Sequence, residues 1–265
     1  MTLDPRGSRN RLPAPGAGFV WEPLPVAGDE AWYLRIETDA CRAAYTTRQG
    51  GVSNGPVRKL NLSLLAEQQD GDLLGSGPLR VFANRDLARR AIGGEREWVT
   101  VRQVHGDRVV QARPRGPRVD ADGLWTDQTE TTLAVLSADC VLLLAIGADK
   151  IGVAHAGWRG LAAGVIENIV RAVQADEVFA GPAIGPCCFE VGQEVIDEFR
   201  HVAGAVPDDK HVDLWAAAEA AARRGGANTF HAARLCTSCH EDLFFSHRRD
   251  KGRTGRQALI ARLPT

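Results

Sequence analysis

Two histidines and one cysteine are the residues of this sequence with the clearest capacity for chemistry. They are His105, Cys140 and His155, separated by 35 and 15 positions. Imidazole and thiolate are preferred zinc donors, and three protein ligands leave a fourth coordination position open for water or substrate. Taken singly, each has an ordinary structural interpretation, as a turn histidine, a small core residue and a packed histidine. The spacings are much longer than in structural zinc modules, so only the fold decides whether the three meet.

Two segments combine arginine with glycine and are candidate anion sites. Residues 154–160 read Ala-His-Ala-Gly-Trp-Arg-Gly at an expected strand-to-helix junction, where helix N-terminal amides bind anions and Arg159 adds positive charge. In residues 46–53, Arg48 precedes a glycine pair, and its guanidinium could bind phosphate through two hydrogen bonds. A hairpin turn with an exposed arginine is the open alternative for this second segment.

The remaining cysteines form two conspicuous groups. Residues 236–240 read Cys-Thr-Ser-Cys-His, the pattern of covalent haem attachment, but that chemistry requires export and an axial partner, and the only methionine is Met1. This motif does not match the C-x-x-C signature of zinc-dependent nucleobase deaminases either, because an H-x-E motif is absent and no proline precedes it. We interpret its cysteines as ordinary thiols, with a structural metal site as the alternative. Cys187 and Cys188 are interpreted as turn and core residues.

Composition limits the classes of function. The chain has 265 residues, 44% of them hydrophobic, with a formal net charge of -1 and a pI near 6.7. The hydrophobic content suffices for a sizeable core, but the charge gives no electrostatic support for binding nucleic acid or an anionic membrane. Residues 1–18 lack the apolar segment of a signal peptide, and the longest apolar run, 132–147, is too short to cross a bilayer. We therefore expect a cytoplasmic protein with reduced cysteines.

Hydrophobic patterning predicts the elements that position these residues. Short runs rich in Val, Leu and Ile predict buried strands at residues 99–104, 132–136, 140–146 and 151–154. A helix over residues 158–173, directly after the strand that ends near His155, is predicted from apolar residues at four-residue steps: Leu161, Val165, Ile169 and Val173. Patterning also predicts helices at 79–92, 191–200 and 213–224 and a closing strand at 257–263.

These elements predict one domain over residues 19–265, preceded by a flexible tail at 1–18. Strands cluster before and after helices without strict alternation, which favours an α+β fold over a doubly wound sheet. The basic run at 248–256 is interpreted as a solvated loop.

From about Tyr45 to Leu263, the combination of short motifs resembles the laccase-domain family, once called multicopper polyphenol oxidases and now linked to purine nucleoside phosphorolysis. The matching blocks are residues 47–53, 60–63, 103–106, 121–123, 138–140, 154–160, 181–186, 189–192, 244–246, 248–250 and 254–256. The order of these blocks is highly specific. The stretch 66–79 departs from the family pattern because it carries additional glycines.

The resemblance implies a three-layer α+β fold with mixed β-sheets, shared with deamidating toxins that use a Cys and His pair. It also implies that His105, Cys140 and His155 are zinc ligands. Similar proteins are associated with phosphorolysis of adenosine, inosine and methylthioadenosine, and with adenosine deamination. Some have been linked to the fidelity of peptidoglycan precursor composition.

Phosphorolysis requires phosphate beside C1′ while the sugar develops oxocarbenium character, so positioned arginine and amide donors matter more than a strong base. We predict Arg48 and Arg159 as donors to phosphate. Gln103 and Asn61 are predicted amide contacts to purine or ribose, because they lie in matching blocks. Cys140 and His155 are predicted to be catalytic as well as metal-binding.

Three alternatives remain open for the same residues. Two histidines and one cysteine are also the donor set of blue copper, although a polyphenol oxidase needs a further histidine cluster and this chain has seven histidines in all. A cysteine hydrolase would use Cys140 and His155 as nucleophile and base. A non-enzymatic, metal-stabilised factor in peptidoglycan synthesis would bind without turnover. Neither the preferred nucleoside nor the oligomeric state follows from the sequence.

Overall fold

The computed structural model describes residues 12–26, 30–69, 77–91, 98–114, 116 and 118–264. Strands within these residues are β1 Phe19–Pro23, β2 Trp32–Ile36, β3 Arg42–Thr46, β4 Trp98–Val99, β5 Val109–Gln111, β6 Gly123–Thr126, β7 Thr132–Ser137, β8 Val141–Ile146, β9 Ile151–Ala156, β10 Glu177–Ala180, β11 Thr229–Ala232 and β12 Gln257–Arg262. The helices are α1 Leu64–Gln69, α2 Gly77–Arg90, α3 Trp158–Ala163, α4 Val165–Val173, α5 Gln193–Phe199 and α6 Leu214–Gly225. None of these helices is long and apolar enough to cross a membrane.

Two six-stranded sheets form the centre of the fold. The first has the strand order β1-β2-β3-β12-β7-β4 and the second β11-β10-β8-β9-β6-β5. Neighbouring strands are antiparallel except in three pairs, β4 with β7, β10 with β11, and β5 with β6. Both sheets are therefore mixed, which confirms the predicted α+β class with mixed sheets.

The position of β8 between two layers explains why its sequence is apolar without alternation. All six of its residues are buried. Leu142 and Leu144 belong to the core between the two sheets, whereas Val141, Leu143 and Ala145 belong to the core beneath the helices. A strand covered on both faces reads as a continuous hydrophobic run, as this one does.

Helices α3 to α6 cover the outer face of the second sheet. Ile169 and Val173 of α4 pack on Gly152 of β9, where an added Cβ would lie 2.6 Å from the Ile169 side chain. On the other side of the molecule, Ala88 and Ala91 close the outer face of the first sheet over Tyr33 and Ile260. The predicted three layers correspond to helices, second sheet and first sheet, and α2 adds a further cover.

The helix predicted over residues 158–173 is interrupted at Gly164. This residue has φ of +100°, in the left-handed region, and its N–H donates to the carbonyls of Gly160 and Leu161 to end α3. Its own carbonyl then accepts from the N–H of Asn168 and begins α4. A glycine adopts this conformation without a Cβ penalty, so the apolar periodicity continues through a break that the pattern alone does not reveal.

The prediction of a strand at residues 99–104 is wrong over most of its length, because β4 ends at Val99. Gln103 takes the place of a strand residue beside β7: its side-chain amide donates to the carbonyl of Leu136 at 2.7 Å, and its oxygen accepts the Leu136 N–H at 2.9 Å. A side chain that satisfies both main-chain groups removes the need for a backbone ladder here. The other predicted strands and helices are confirmed with shifted ends. The elements that the sequence did not predict include β1, β2, β5, β6, β10, β11 and α1.

The predicted tail falls partly outside the described residues, which begin at Leu12. Within residues 12–18, the Gly16 N–H donates to the Ala233 carbonyl at 3.0 Å. The Pro13 carbonyl accepts from the Trp21 indole at 2.8 Å. These residues therefore lie against the sheets. Of the divergent stretch 66–79, residues 70–76 lie outside the described residues.

Tyr45 joins the two sheets through its hydroxyl group. The ring lies in the core between them, 2% exposed, and its hydroxyl hydrogen-bonds the carbonyls of Leu142 in β8 at 3.1 Å and Phe179 in β10 at 2.9 Å. Gly181 allows this approach, since a Cβ there would lie 2.1 Å from the ring. The hydroxyl is thus a polar link across an apolar interface.

The substitution Tyr45→Phe should lower the free energy of unfolding by about 1 to 2 kcal/mol, because it removes a buried hydrogen-bond donor and retains the ring. Urea denaturation of the variant and the parent protein measures this difference, with an unchanged denaturant slope as the control for an intact two-state transition. An unchanged midpoint would show that the hydroxyl does not stabilise the pairing of the sheets.

Candidate functional site

A buried carboxylate organises the loop that carries His105. Asp122, 0% exposed, accepts the main-chain N–H groups of Val104 at 3.1 Å, His105 at 3.0 Å and Gly106 at 2.8 Å. His105 itself has φ of +63°, a left-handed conformation that needs support in a residue with a side chain. The three hydrogen bonds to Asp122 supply that support and fix the direction of the imidazole.

The same carboxylate orients His155, which lies in β9 and is 3% exposed. Asp122 Oδ1 lies 2.8 Å from His155 Nδ1, and the Asp122 carbonyl accepts the His155 N–H at 2.7 Å. An imidazole whose Nδ1 bonds a carboxylate presents Nε2 as its electron-pair donor. Asp122 therefore fixes both histidines of the predicted set.

Cys140 lies immediately before β8, half-buried, between the two imidazoles. The rings of His105 and His155 are 4.8 Å apart and nearly perpendicular, at 82°. One donor atom from each of the three residues lies within 4.8 Å of the other two. The structure thus brings together the three residues that the sequence separates by 50 positions in all.

Glycines in residues 154–160 serve this convergence. A Cβ on Gly157 would lie 2.9 Å from the His105 ring and 3.0 Å from the Cys140 sulfur, and a Cβ on Gly160 would lie 2.8 Å from the Gly106 carbonyl. The main chain after His155 passes so close to the other two donors that only glycine fits. The small residues of this motif therefore have a packing role in the site.

The three side chains are also coupled electrostatically. Burial opposes ionisation of Cys140, but the charge of His155 and hydrogen bonds from both histidines outweigh it, so the pKa of the thiol is lowered. Burial likewise opposes protonation of His155, yet the Cys140 thiolate and Asp122 raise its pKa. The arrangement therefore favours a thiolate, the form in which cysteine binds a metal.

This donor set fits a single metal ion. Two imidazole nitrogens and one thiolate match the three-ligand pattern of a catalytic zinc site, and the Asp122 carboxylate is the partner that commonly orients a ligating histidine. The same donors are compatible with copper. The residues that would hold the ion are His105, Cys140 and His155.

Asp139 ties the Cys140 segment to the surrounding loops. It has φ of +96°, and its carboxylate accepts the Thr237 hydroxyl at 2.6 Å and the Arg248 main-chain N–H at 2.7 Å. Its carbonyl accepts the Ile184 N–H at 2.8 Å. Three distant segments therefore meet at the residue that precedes the central ligand.

A cavity of about 840 Å³ opens on the three donors, a volume within the usual range of small-molecule sites. Its apolar wall includes Leu65, Ile184 and Phe189. Its lining also includes four guanidinium side chains, those of Arg102, Arg118, Arg248 and Arg256. A ligand with an apolar ring and an anionic group is suited to such a lining.

Two of these arginines are held in place by carbonyl groups. Arg256 donates through Nη1 to the carbonyls of Thr254 and Gly255, both at 2.9 Å. Burial lowers the pKa of Arg256, while Cys140 and Asp139 act in the opposite direction. Arg248 lies over the Phe189 ring at 5.3 Å and donates to the Glu190 carbonyl at 2.7 Å. Sequence analysis assigned both residues to a solvated loop and missed their place at the cavity.

The predicted substrate contacts occupy different places. Gln103 lines the cavity, although its amide is engaged with Leu136. Asn61 is 0% exposed and its side chain bonds the main chain of Ser63 and Arg256, so it supports the cavity wall from behind.

The two arginines predicted to bind phosphate lie outside the cavity lining. Arg48 lies over the Phe245 ring at 4.8 Å and donates to the Glu241 carbonyl. Arg159 is exposed and lies over the Trp158 ring at 4.3 Å. Asp122 and Asp139, which organise the site, were not singled out from the sequence; their positions inside the matching blocks 121–123 and 138–140 were the available signal.

The chain is similar in sequence to proteins of known family. The chain is 35% identical over 252 residues to a purine nucleoside phosphorylase of Geobacillus stearothermophilus, covering 83% of this chain and 89% of that protein. It is 36% identical over 231 residues to a purine nucleoside phosphorylase of Escherichia coli, covering 82% of this chain and 91% of the relative.

Solved structures show the same fold. A protein of Neisseria meningitidis superposes with a TM-score of 0.75 at 32% identity, over 94% of this chain and all of the other. A protein of Geobacillus stearothermophilus superposes with a TM-score of 0.76 at 31% identity, over 92% of this chain. The family model described as multi-copper polyphenol oxidoreductase laccase matches residues 42–264. The chain therefore belongs to the multi-copper polyphenol oxidoreductase laccase family.

Proposed function

We propose that this protein is a zinc-dependent purine nucleoside phosphorylase that converts adenosine, inosine or methylthioadenosine and phosphate to the free base and the sugar 1-phosphate. The observation that carries the proposal is the convergence of His105, Cys140 and His155 in the lining of a cavity that also presents arginines. The relatives named purine nucleoside phosphorylase support the same reaction.

The cavity lining suggests how its residues act on the two substrates. Phe189 and Ile184 offer apolar contact to a purine ring and exclude water from it. Arg256 and Arg248 offer positive charge to phosphate, and holding that anion beside the sugar converts a bimolecular attack into a positioned one. As the bond from C1′ to the base breaks, the sugar gains positive charge, which the nearby phosphate stabilises.

A bound zinc ion would supply Lewis acidity toward a polar group of the substrate. Cys140 then serves as a ligand, with His155 as a second ligand whose imidazole is held by Asp122. Arg48 and Arg159 remain candidates for phosphate binding from the sequence, at positions outside the cavity lining. Adenosine deamination is the second reaction proposed for this site: water attacks C6 of the purine and ammonia leaves, which gives inosine.

The rival proposals make different demands on the same residues. Copper suits the donor set and the family description. A multicopper oxidase, however, passes electrons to further copper ions bound mainly by histidines. Among the described residues, the other group of potential metal ligands consists of four cysteines and contains no histidine. A cysteine hydrolase requires Cys140 as a free nucleophile, which a ligated thiolate is not. A binding protein in cell-wall synthesis would bind purine nucleoside without turnover.

The substitution Asp122→Ala should weaken zinc binding by about tenfold to a hundredfold, because it releases His155 and the His105 loop from their common hydrogen-bond acceptor. Competition titration against a chromophoric chelator measures the affinity. Asp120→Ala is the matched control, since that exposed carboxylate two residues away pairs with Arg102 and bonds neither histidine. Equal zinc affinity in the two variants would contradict the role assigned to Asp122.

Chromatographic analysis of products, with and without phosphate, tests the reaction itself. We expect phosphate-dependent release of base, abolished in Cys140→Ala and reduced about a hundredfold in kcat/KM in Arg256→Ala, by analogy with removal of one donor that stabilises developing charge. Arg256→Lys, which keeps the charge, should retain more activity than Arg256→Ala. The parallel variant Arg159→Ala decides between an arginine of the cavity and one outside it.

Equal base release by the parent protein and Cys140→Ala would assign the activity to a contaminant and remove the support for an enzyme. Inosine formed from adenosine without phosphate would establish deamination as a second activity of the site.

A further inference from the structure

Four cysteines from two segments that are about 50 positions apart in the sequence lie close together. These are Cys187, Cys188, Cys236 and Cys239, called here the thiol cluster. The Cys239 sulfur lies 3.5 Å from that of Cys187 and 3.4 Å from that of Cys188, and all four sulfurs lie within 4.8 Å of one another. The earlier interpretation as separate turn and core thiols did not anticipate this meeting.

Main-chain hydrogen bonds hold the two segments of the thiol cluster in register. Ala183 and Cys236 form a parallel bridge, and the Thr237 N–H donates to the Ala183 carbonyl at 2.9 Å. A turn then presents Cys188, whose N–H donates to the Gly185 carbonyl at 2.9 Å. The Gly185 N–H points at the Cys236 sulfur at 3.2 Å. Two backbone turns therefore bring the four sulfur atoms close together without a disulfide bond.

The sulfur positions suit one tetrahedral ion. Zinc bonded to four sulfurs at about 2.3 Å separates them by about 3.8 Å, within the range that the cluster spans. A polynuclear iron–sulfur centre distributes its cysteines over several metal atoms and so spaces them more widely. Four thiolates are soft ligands, which select zinc over magnesium or calcium. The cysteines are free, with sulfurs well beyond the disulfide bond length of about 2.0 Å.

We propose that the thiol cluster is a second metal site, a structural site of the four-cysteine type for a single zinc ion. Binding releases thiol protons to solvent and changes no oxidation state. Four protein ligands leave no open coordination position, so this site is closed, whereas that of His105, Cys140 and His155 is open. The proposal is independent of the reaction assigned to the cavity.

The position of this second site gives it a structural effect on the first. Ile184 and Phe189, on either side of the cysteine pair, line the cavity. Arg248 donates to the Cys188 carbonyl at 3.3 Å, and Thr237, next to Cys236, bonds Asp139. An ion in the thiol cluster would cross-link the segment that contributes Ile184 and Phe189 to the cavity wall with the segment that carries Cys236 and Cys239.

Zinc content of purified protein, measured by inductively coupled plasma mass spectrometry in a Cys140→Ala background, tests the proposal. That substitution removes the open site, so about one equivalent of zinc should remain in the closed site. Adding Cys236→Ser or Cys239→Ser should reduce it to less than about a tenth of an equivalent, because each removes one of four ligands. Adding Cys41→Ala instead should leave it unchanged, since Cys41 is buried in the core between the sheets.

Zinc-edge X-ray absorption of the Cys140→Ala protein gives a second test that requires no change in the thiol cluster. We expect a shell of sulfur ligands alone at about 2.3 Å. Zinc content unaffected by Cys239→Ser, a shell containing nitrogen or oxygen, or an intact mass showing a disulfide among these cysteines would each overturn the proposal.

Discussion

The candidate site depends on one buried carboxylate and its four hydrogen bonds. Asp122 accepts three consecutive main-chain N–H groups from residues 104–106 and one bond from the His155 imidazole. A buried carboxylate is costly unless its lone pairs are satisfied, and here these bonds outweigh burial and lower its pKa. The bonds that stabilise the charge also determine where two of the three donors point. Removing the Asp122 carboxylate would therefore disturb both the loop at residues 104–106 and the His155 imidazole.

Strand pairing in the second sheet brings the Asp122 carboxylate, Cys140 and His155 together at one end of neighbouring strands. Strands β8 and β9 are antiparallel with Val141 opposite Ala156, so Cys140, just before β8, lies beside the end of β9 that carries His155. Strand β6 pairs with β9 and places Gly123 opposite Ala154, so Asp122 lies at the same end of these strands. Because both faces of the second sheet are buried, a shift in register would expose apolar residues, and the packing therefore protects the geometry of the site.

The three donors were identified from the sequence because their residue types are chemically unusual. Strands β8 and β9 of the second sheet were identified because burial on both faces makes them continuously apolar, whereas the shorter strands β5, β6, β10 and β11 give no such signal. Sequence analysis could not identify Gly164 as a helix boundary, because a left-handed break leaves the apolar period intact. Nor could it identify Arg256 as a cavity residue, since a basic run reads the same on a surface loop. The four cysteines required tertiary structure: their two segments are about 50 positions apart in the chain and meet only through the bridge between Ala183 and Cys236.

A crystal structure of the zinc-loaded protein, with anomalous diffraction recorded on both sides of the zinc absorption edge, would show whether His105, Cys140 and His155 bind zinc together. We expect an anomalous peak at about 2.0 to 2.3 Å from one nitrogen each of His105 and His155 and from the Cys140 sulfur. His155 should bind through Nε2, with Nδ1 still on Asp122. An anomalous map without a peak among these three residues, or with His105 turned away from the other two, would contradict the proposed metal site.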